Sequence, residues 1–117
     1  MHPRFVTTKK GDYYSFELID TDGEAILRSN FFRSKSDCTN EIAQVKSSVL
    51  SVVHFEKRKE LSGQFSFVLK NKYHEIIGHS KPFWSPSSRD YAMITVRREA
   101  SDAIVEEKFR VLEDFKE

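Results

Sequence analysis

Ser15-Phe16-Glu17-Leu18 recurs 51 positions later as Ser66-Phe67-Val68-Leu69, and the fold follows from that recurrence. At the same offset, and without a gap, Glu24 falls on Glu75, Ile26 on Ile77, Ser29 on Ser80, Phe32 on Phe83, Ser34 on Ser85, Ser36 on Ser87 and Val45 on Val96. This is about ten identities over about 34 positions. A repeat at such a period makes the chain two tandem copies of one supersecondary unit.

Each copy has the same local pattern. Tyr14, Phe16 and Leu18 alternate with Ser15 and Glu17, the period of a half-buried strand, and Phe65, Phe67 and Leu69 repeat it. Asp20-Thr21-Asp22-Gly23 then reads as a turn, with Gly23 free to take positive φ. Asn71-Lys72-Tyr73-His74 stands there in copy two, with Asn71 expected as the left-handed residue. A second strand follows each turn, Glu24 to Ser29 and Glu75 to Ser80. An earlier edge strand opens each copy, near Phe5-Val6-Thr7 and Phe55-Glu56-Lys57. Ser34 reads as a helix N-cap with Asp37 three residues on. Ser85 does the same, with Pro86 at the first helical position. Cys38, Ile42, Val45 and Val49 recur at helical spacing, and Met93, Val96 and Ala100 echo them.

The expected fold class is therefore α+β: two tandem β-β-β-α repeats related by a pseudo-twofold axis, forming an antiparallel sheet with two helices packed on one face. Residues 1–105 read as a single domain, with repeat one at about 4–50 and repeat two at about 54–100. Residues 106–117 read as a C-terminal helical extension, on the spacing of Phe109, Leu112 and Phe115, although Ala103-Ile104-Val105 has the makings of a short strand. The sheet face away from the helices is expected to carry Tyr13, Ile19, Ala25, Leu27 and Val68. That face is too apolar to stay wet, so the extension is its expected cover, within the chain or from a partner.

Composition narrows the function. The 117 residues are 38% hydrophobic and 32% charged with net charge +1, an ordinary soluble balance without the excess of base that nucleic acid or acidic membranes attract. One cysteine, Cys38, fits a reducing compartment. No leader or membrane-length apolar run is readable, so a cytoplasmic location is expected.

Nothing in the sequence assembles chemistry. His2, His54, His74 and His79 lack metal-ligand spacing with Cys38. Glu17, Asp20, Asp22 and Glu24 flank a turn and read as solvated. Ser34, Ser36, Ser85, Ser87 and Ser88 read as helix caps and their neighbours. The four glycines lack phosphate-loop spacing. No enzyme activity, metal or cofactor is expected. The distinctive surface feature is aromatic residues interleaved with bases, in Phe31-Phe32-Arg33-Ser34-Lys35 and in Pro82-Phe83-Trp84-Ser85 with Arg89 beyond. Phe31, Arg33, Lys35, Trp84 and Arg89 are the candidate ligand or partner surface. Two functions are compatible with this: a non-catalytic binding or protein-interaction module, a homodimer included, and weak sequence-tolerant nucleic-acid binding.

Phe16-Glu17-Leu18, Glu24-Ala25-Ile26, Ser29 to Ser34 and Ile42-Ala43-Gln44-Val45, with Phe67-Val68-Leu69-Lys70 and Glu75-Ile76-Ile77-Gly78 in copy two, resemble the YegP-like repeat of uncharacterised bacterial proteins. The resemblance covers about residues 4–105. It departs where the family has Gly before the helix Ile and Asn after the helix Val, positions held here by Glu41 and Ala92 and by Ser48 and Glu99. It implies a two-repeat α+β fold in a bacterial cytoplasmic protein, with no assigned activity and no catalytic residues to carry over.

Overall fold

The alternating segments form strands and the 3.6-period segments form helices, each copy giving three strands and then a helix. The computed structural model describes residues 2–108. Copy one supplies β1 (Arg4–Lys10), β2 (Tyr13–Ile19), β3 (Ala25–Arg28) and α1 (Lys35–Ser48). Copy two supplies β4 (Phe55–Lys59), β5 (Phe65–Lys70), β6 (Ile76–His79) and α2 (Pro86–Glu99), and β7 (Ile104–Lys108) follows. The spatial order is β4-β5-β6-β3-β2-β1-β7. Within the first six strands, each copy runs outward from the centre in the same sequence. A rotation about an axis between β3 and β6 generates such an order.

Capping starts both helices where the serines stand. The Ser34 Oγ accepts from the Asp37 N–H, and the Ser85 Oγ from the Ser88 N–H, with Pro86 just inside. The helices bury Cys38, Ile42, Val45, Met93 and Val96 against one sheet face, where Phe5, Phe16, Leu18, Leu27, Phe67 and Leu69 are 0–1% exposed. Burial holds the Cys38 thiol up to about 11, with Glu41 adding to the effect, so it stays protonated at neutral pH.

Three expectations are corrected, and one lies outside the described residues. The sheet is mixed rather than antiparallel, because β7 returns after α2 to lie parallel to β1, with Phe5 opposite Val105 and Thr7 opposite Glu107. Residues 106–108, expected in a helical extension, belong to that strand. Residues 109–117, with the expected docking of Phe109, Leu112 and Phe115, lie outside the described residues. Leu27 faces the helices, not the free face. The register shifts between Leu18 and Ile19, so Leu18 pairs with Leu27 while Ile19 pairs with Ala25. This irregularity lets Ile26 and Leu27 both enter the core, which strict alternation forbids.

The left-handed residue of the second turn is His74, at φ 67°, rather than Asn71. It occupies the place of Gly23, at φ 86°. Asn71 closes the turn with its side chain, its Oδ1 accepting from the N–H groups of Tyr73 (2.9 Å) and Glu75 (3.0 Å), as the Asp20 Oδ1 accepts from those of Asp22 and Glu24 (both 2.9 Å). A β-carbon at positive φ is strained, so His74→Gly is expected to raise unfolding free energy by about 1 kcal/mol in urea titration. No change would show the turn to be unstrained.

Candidate functional site

Directly paired residues in neighbouring strands project to the same face. On the helix-free face this builds one row across all seven strands: Glu106, Val6, Glu17, Arg28, His79, Val68 and Glu56. The face is polar at its centre, in contrast to the apolar surface expected of it. Arg28 and His79 meet at the middle, where β3 pairs with β6. They hold the same position in the two copies.

A cavity of about 540 Å³ opens beside them, lined by Thr8, Ser15, Glu17, Asn30 and Phe31 together with Arg28 and His79. The Asn30 Nδ2 donates to the Ile76 carbonyl at 3.1 Å, which fixes the amide. Its Oδ1 then accepts from the His79 Nε2 at 3.0 Å. In neutral His79 this leaves Nδ1 as an acceptor. Burial, and then the charges of Arg58 and Arg28, hold His79 below its ordinary 6.5. Arg28 forms no ion pair among the described residues. The Ser15 Oγ lies 3.4 Å from the Thr8 Oγ1.

The lowered His79 value has a stability consequence. The unfolded chain binds this proton more tightly than the folded one, so folding stability falls as pH drops below about 6.5. His79→Gln is expected to flatten that part of the pH profile in thermal melts at low ionic strength. An unchanged profile would mean that other groups set it.

The five sequence candidates do not form one site. Phe31 is 70% exposed, packs edge-on to Tyr13 at 6.3 Å and stands at the cavity's rim. Arg33 lies over the Tyr13 ring at 5.2 Å. Lys35 pairs with Glu107 at 3.0 Å. Trp84 is 80% exposed and belongs to copy two, whose Phe83 joins β5, whereas Phe32 joins β2. Arg89 is buried rather than superficial. It stands where copy one has Cys38, its guanidinium 5.5 Å from the Phe65 ring centre and its Nε 3.0 Å from the Asp90 carboxylate. The aliphatic stem fills the core position while the charged end reaches the edge.

Sequence reasoning missed the Arg28–His79 centre and Asn30. One signal was available: Arg28 and His79 end the same strand in the two copies. Among the described residues, no three His, Cys, Asp or Glu side chains converge to hold a metal ion, and no helix is long and apolar enough to cross a membrane.

A family model described as a domain of unknown function (DUF1508) matches residues 9–52 and again residues 61–107. The chain is 33% identical over 98 residues to the UPF0339 protein in the ptx operon 5′ region of Stutzerimonas stutzeri, covering 84% of this chain and 88% of that one. It is 31% identical over 104 residues to the UPF0339 protein YegP of Escherichia coli K12, covering 88% and 94%. The solution NMR structure of YegP from E. coli, described as a protein of unknown function, superposes with a TM-score of 0.88 at 29% identity, over 95% of this chain and 97% of that one. A UPF0339 protein from Shewanella oneidensis shares the fold with the same TM-score at 23% identity, both chains being covered in full.

Proposed function

This chain belongs to the DUF1508 family, and from that premise we propose that it is a non-catalytic binding module whose recognition surface is the helix-free face of the sheet. One observation carries the reading: Arg28, without an ion-pair partner among the described residues, sits in an open cavity with the largely exposed ring of Phe31 at its rim. Arginine and aromatic side chains held this way are the residue types that dominate binding energy once a partner desolvates them. The hydroxyls and the imidazole there serve positioning. Ser15 neighbours another hydroxyl rather than a base, and the His79 Nε2 is held by Asn30. The single buried cysteine supports a cytoplasmic setting.

The test is amide NMR of the labelled protein, titrated separately with the small-molecule and macromolecular fractions of a clarified bacterial extract. Signals of Ser15, Glu17, Arg28, Phe31 and His79 are expected to move together with one fraction. The double variant Arg28→Ala, Phe31→Ala is expected to remove that response. Changes confined to other elements would overturn the reading.

The alternative, weak nucleic-acid binding, is favoured by one feature, the exposed Trp84. The bases it needs are engaged elsewhere: Arg33 with Tyr13, Lys35 with Glu107, and Arg89 with Asp90 and Phe65. Fluorescence anisotropy with single-stranded DNA at low salt is expected to give Kd no tighter than about 10⁻⁴ M, the weak end of non-specific binding. Tighter, salt-dependent binding lost in Trp84→Ala would reinstate it.

A further inference from the structure

The two outer flanks of the six-strand core are equivalent in backbone and unequal in cover. Along an antiparallel strand, the N–H and C=O of one residue point to the same side, and the side alternates with each residue. In β2, Tyr14 exchanges both bonds with Phe32 at 2.8 Å, and the Phe16 carbonyl accepts from the Ser29 N–H at 3.0 Å. Ser15 and Glu17 therefore face β1, where they pair with Thr8 and Val6. That leaves Phe5 and Thr7 aimed outward, and β7 lies there.

Copy two repeats the geometry. Phe65 exchanges both bonds with Phe83 at 2.7 Å, and the Phe67 carbonyl accepts from the Ser80 N–H at 3.0 Å. Ser66 and Val68 face β4, where they pair with Arg58 and Glu56. The N–H and C=O groups of Lys57 and Lys59 then aim outward, as does the Phe55 carbonyl, while the Phe55 N–H donates to the Val52 carbonyl; among the described residues no strand lies beyond them. The reason is topological. The strand after α2 covers copy one's flank, whereas the strand after α1 is β4 itself.

The chemistry of the covered flank indicates what fits the open one. β7 reads Ile104-Val105-Glu106-Glu107-Lys108 and is seated by the Arg4–Glu106 and Lys35–Glu107 ion pairs, both 3.0 Å. The open strand carries Lys57, Arg58 and Lys59, a net basic edge even though Lys57 lies 3.4 Å from the Asp90 carboxylate and its one acid, Glu56, is bridged to Lys70 and Arg58. A second copy's β4 would set like charges opposite one another, which is destabilising. We propose that the open edge of β4 takes up an acidic, extended segment of another polypeptide as an added strand parallel to β4. This is β-strand addition, in which main-chain bonds give affinity and side-chain charge gives selectivity. It goes beyond the sheet-face reading and does not depend on it.

The probe is a synthetic peptide with the sequence of residues 101–108, whose last five residues already form such a strand against β1. At millimolar peptide, amide signals of Phe55, Lys57 and Lys59 in the labelled protein are expected to shift, and hydrogen exchange of Lys57 and Lys59 to slow at least about tenfold. A peptide with lysine at both glutamate positions is expected to leave them unchanged. Lys57→Pro removes an outward N–H that no bond among the described residues uses, so it is expected to fold, with Phe67 and Leu69 signals in place, and to ignore the peptide. Shifts confined to β1, equal binding of the lysine peptide, or no response in the wild-type protein would each overturn the proposal. The wild-type exchange data decide the matter if Lys57→Pro fails to fold.

Discussion

Phe16→Ala and Phe67→Ala are each expected to lower unfolding free energy by about 3–5 kcal/mol in urea titration, the range for buried aromatic truncations. The two rings hold the same place in the two copies and are 1% and 0% exposed. Each meets the phenylalanine that opens its own copy. Phe16 packs edge-on to Phe5 at 5.7 Å, and Phe67 packs tilted against Phe55 at the same centroid distance. Truncation removes the ring's transfer free energy and leaves a void that close-packed strands cannot collapse into. A domain of this size has about 5–15 kcal/mol in total, so either variant approaches the limit of folding. A near-zero effect from one of them would mean that its strand faces the other way.

Gly78→Ala is expected to destabilise by about 1–3 kcal/mol, as overpacking does in a filled core. Gly78 is the counterpart of Leu27, and the two meet where the copies join, as β3 pairs with β6. A β-carbon at position 78 would stand 2.9 Å from the Cγ and both Cδ atoms of Leu27, which is fully buried. Two leucines cannot share this place, so one copy keeps the large side chain and the other gives up its own. In a Leu27→Ala background the same Gly78→Ala change should be neutral or better. The double-mutant cycle is then expected to show coupling of about 1 kcal/mol or more. Additive effects would contradict direct packing of the pair.

These residues also mark how far the sequence could be read. The repeat, the strand and helix assignments and both serine caps were legible because each rests on local pattern: alternation at Phe16 and Phe67, helical spacing at Cys38 and Val45, and Ser34 and Ser85 at helix starts. Leu27 was misplaced because a register irregularity inserts one residue, and nothing in Ala25-Ile26-Leu27-Arg28 announces it. The parallel placement of β7 is a tertiary choice, fixed by ion pairs to Arg4 and Lys35 that are distant in sequence. Arg89 was read as a surface base because its charge outweighed its position. The offset that identified the repeat also places it on Cys38, and its long stem satisfies both demands. Phe31 was legible as a surface aromatic, but its setting beside Arg28, Asn30 and His79 depends on strand order and on the bond from Asn30 to Ile76 across the copy boundary.

The account rests on two equivalent copies whose flanks differ among the described residues, one closed by β7 and one open. Residue-resolved amide hydrogen exchange of the free protein measures this directly. The amides of Phe5 and Thr7, covered by β7, should exchange slowly, with protection close to that of the core strands. Those of Lys57 and Lys59 should exchange orders of magnitude faster, while their neighbours Glu56 and Arg58 stay protected by β5. Equal protection on the two flanks, or no alternation along β4, would contradict it.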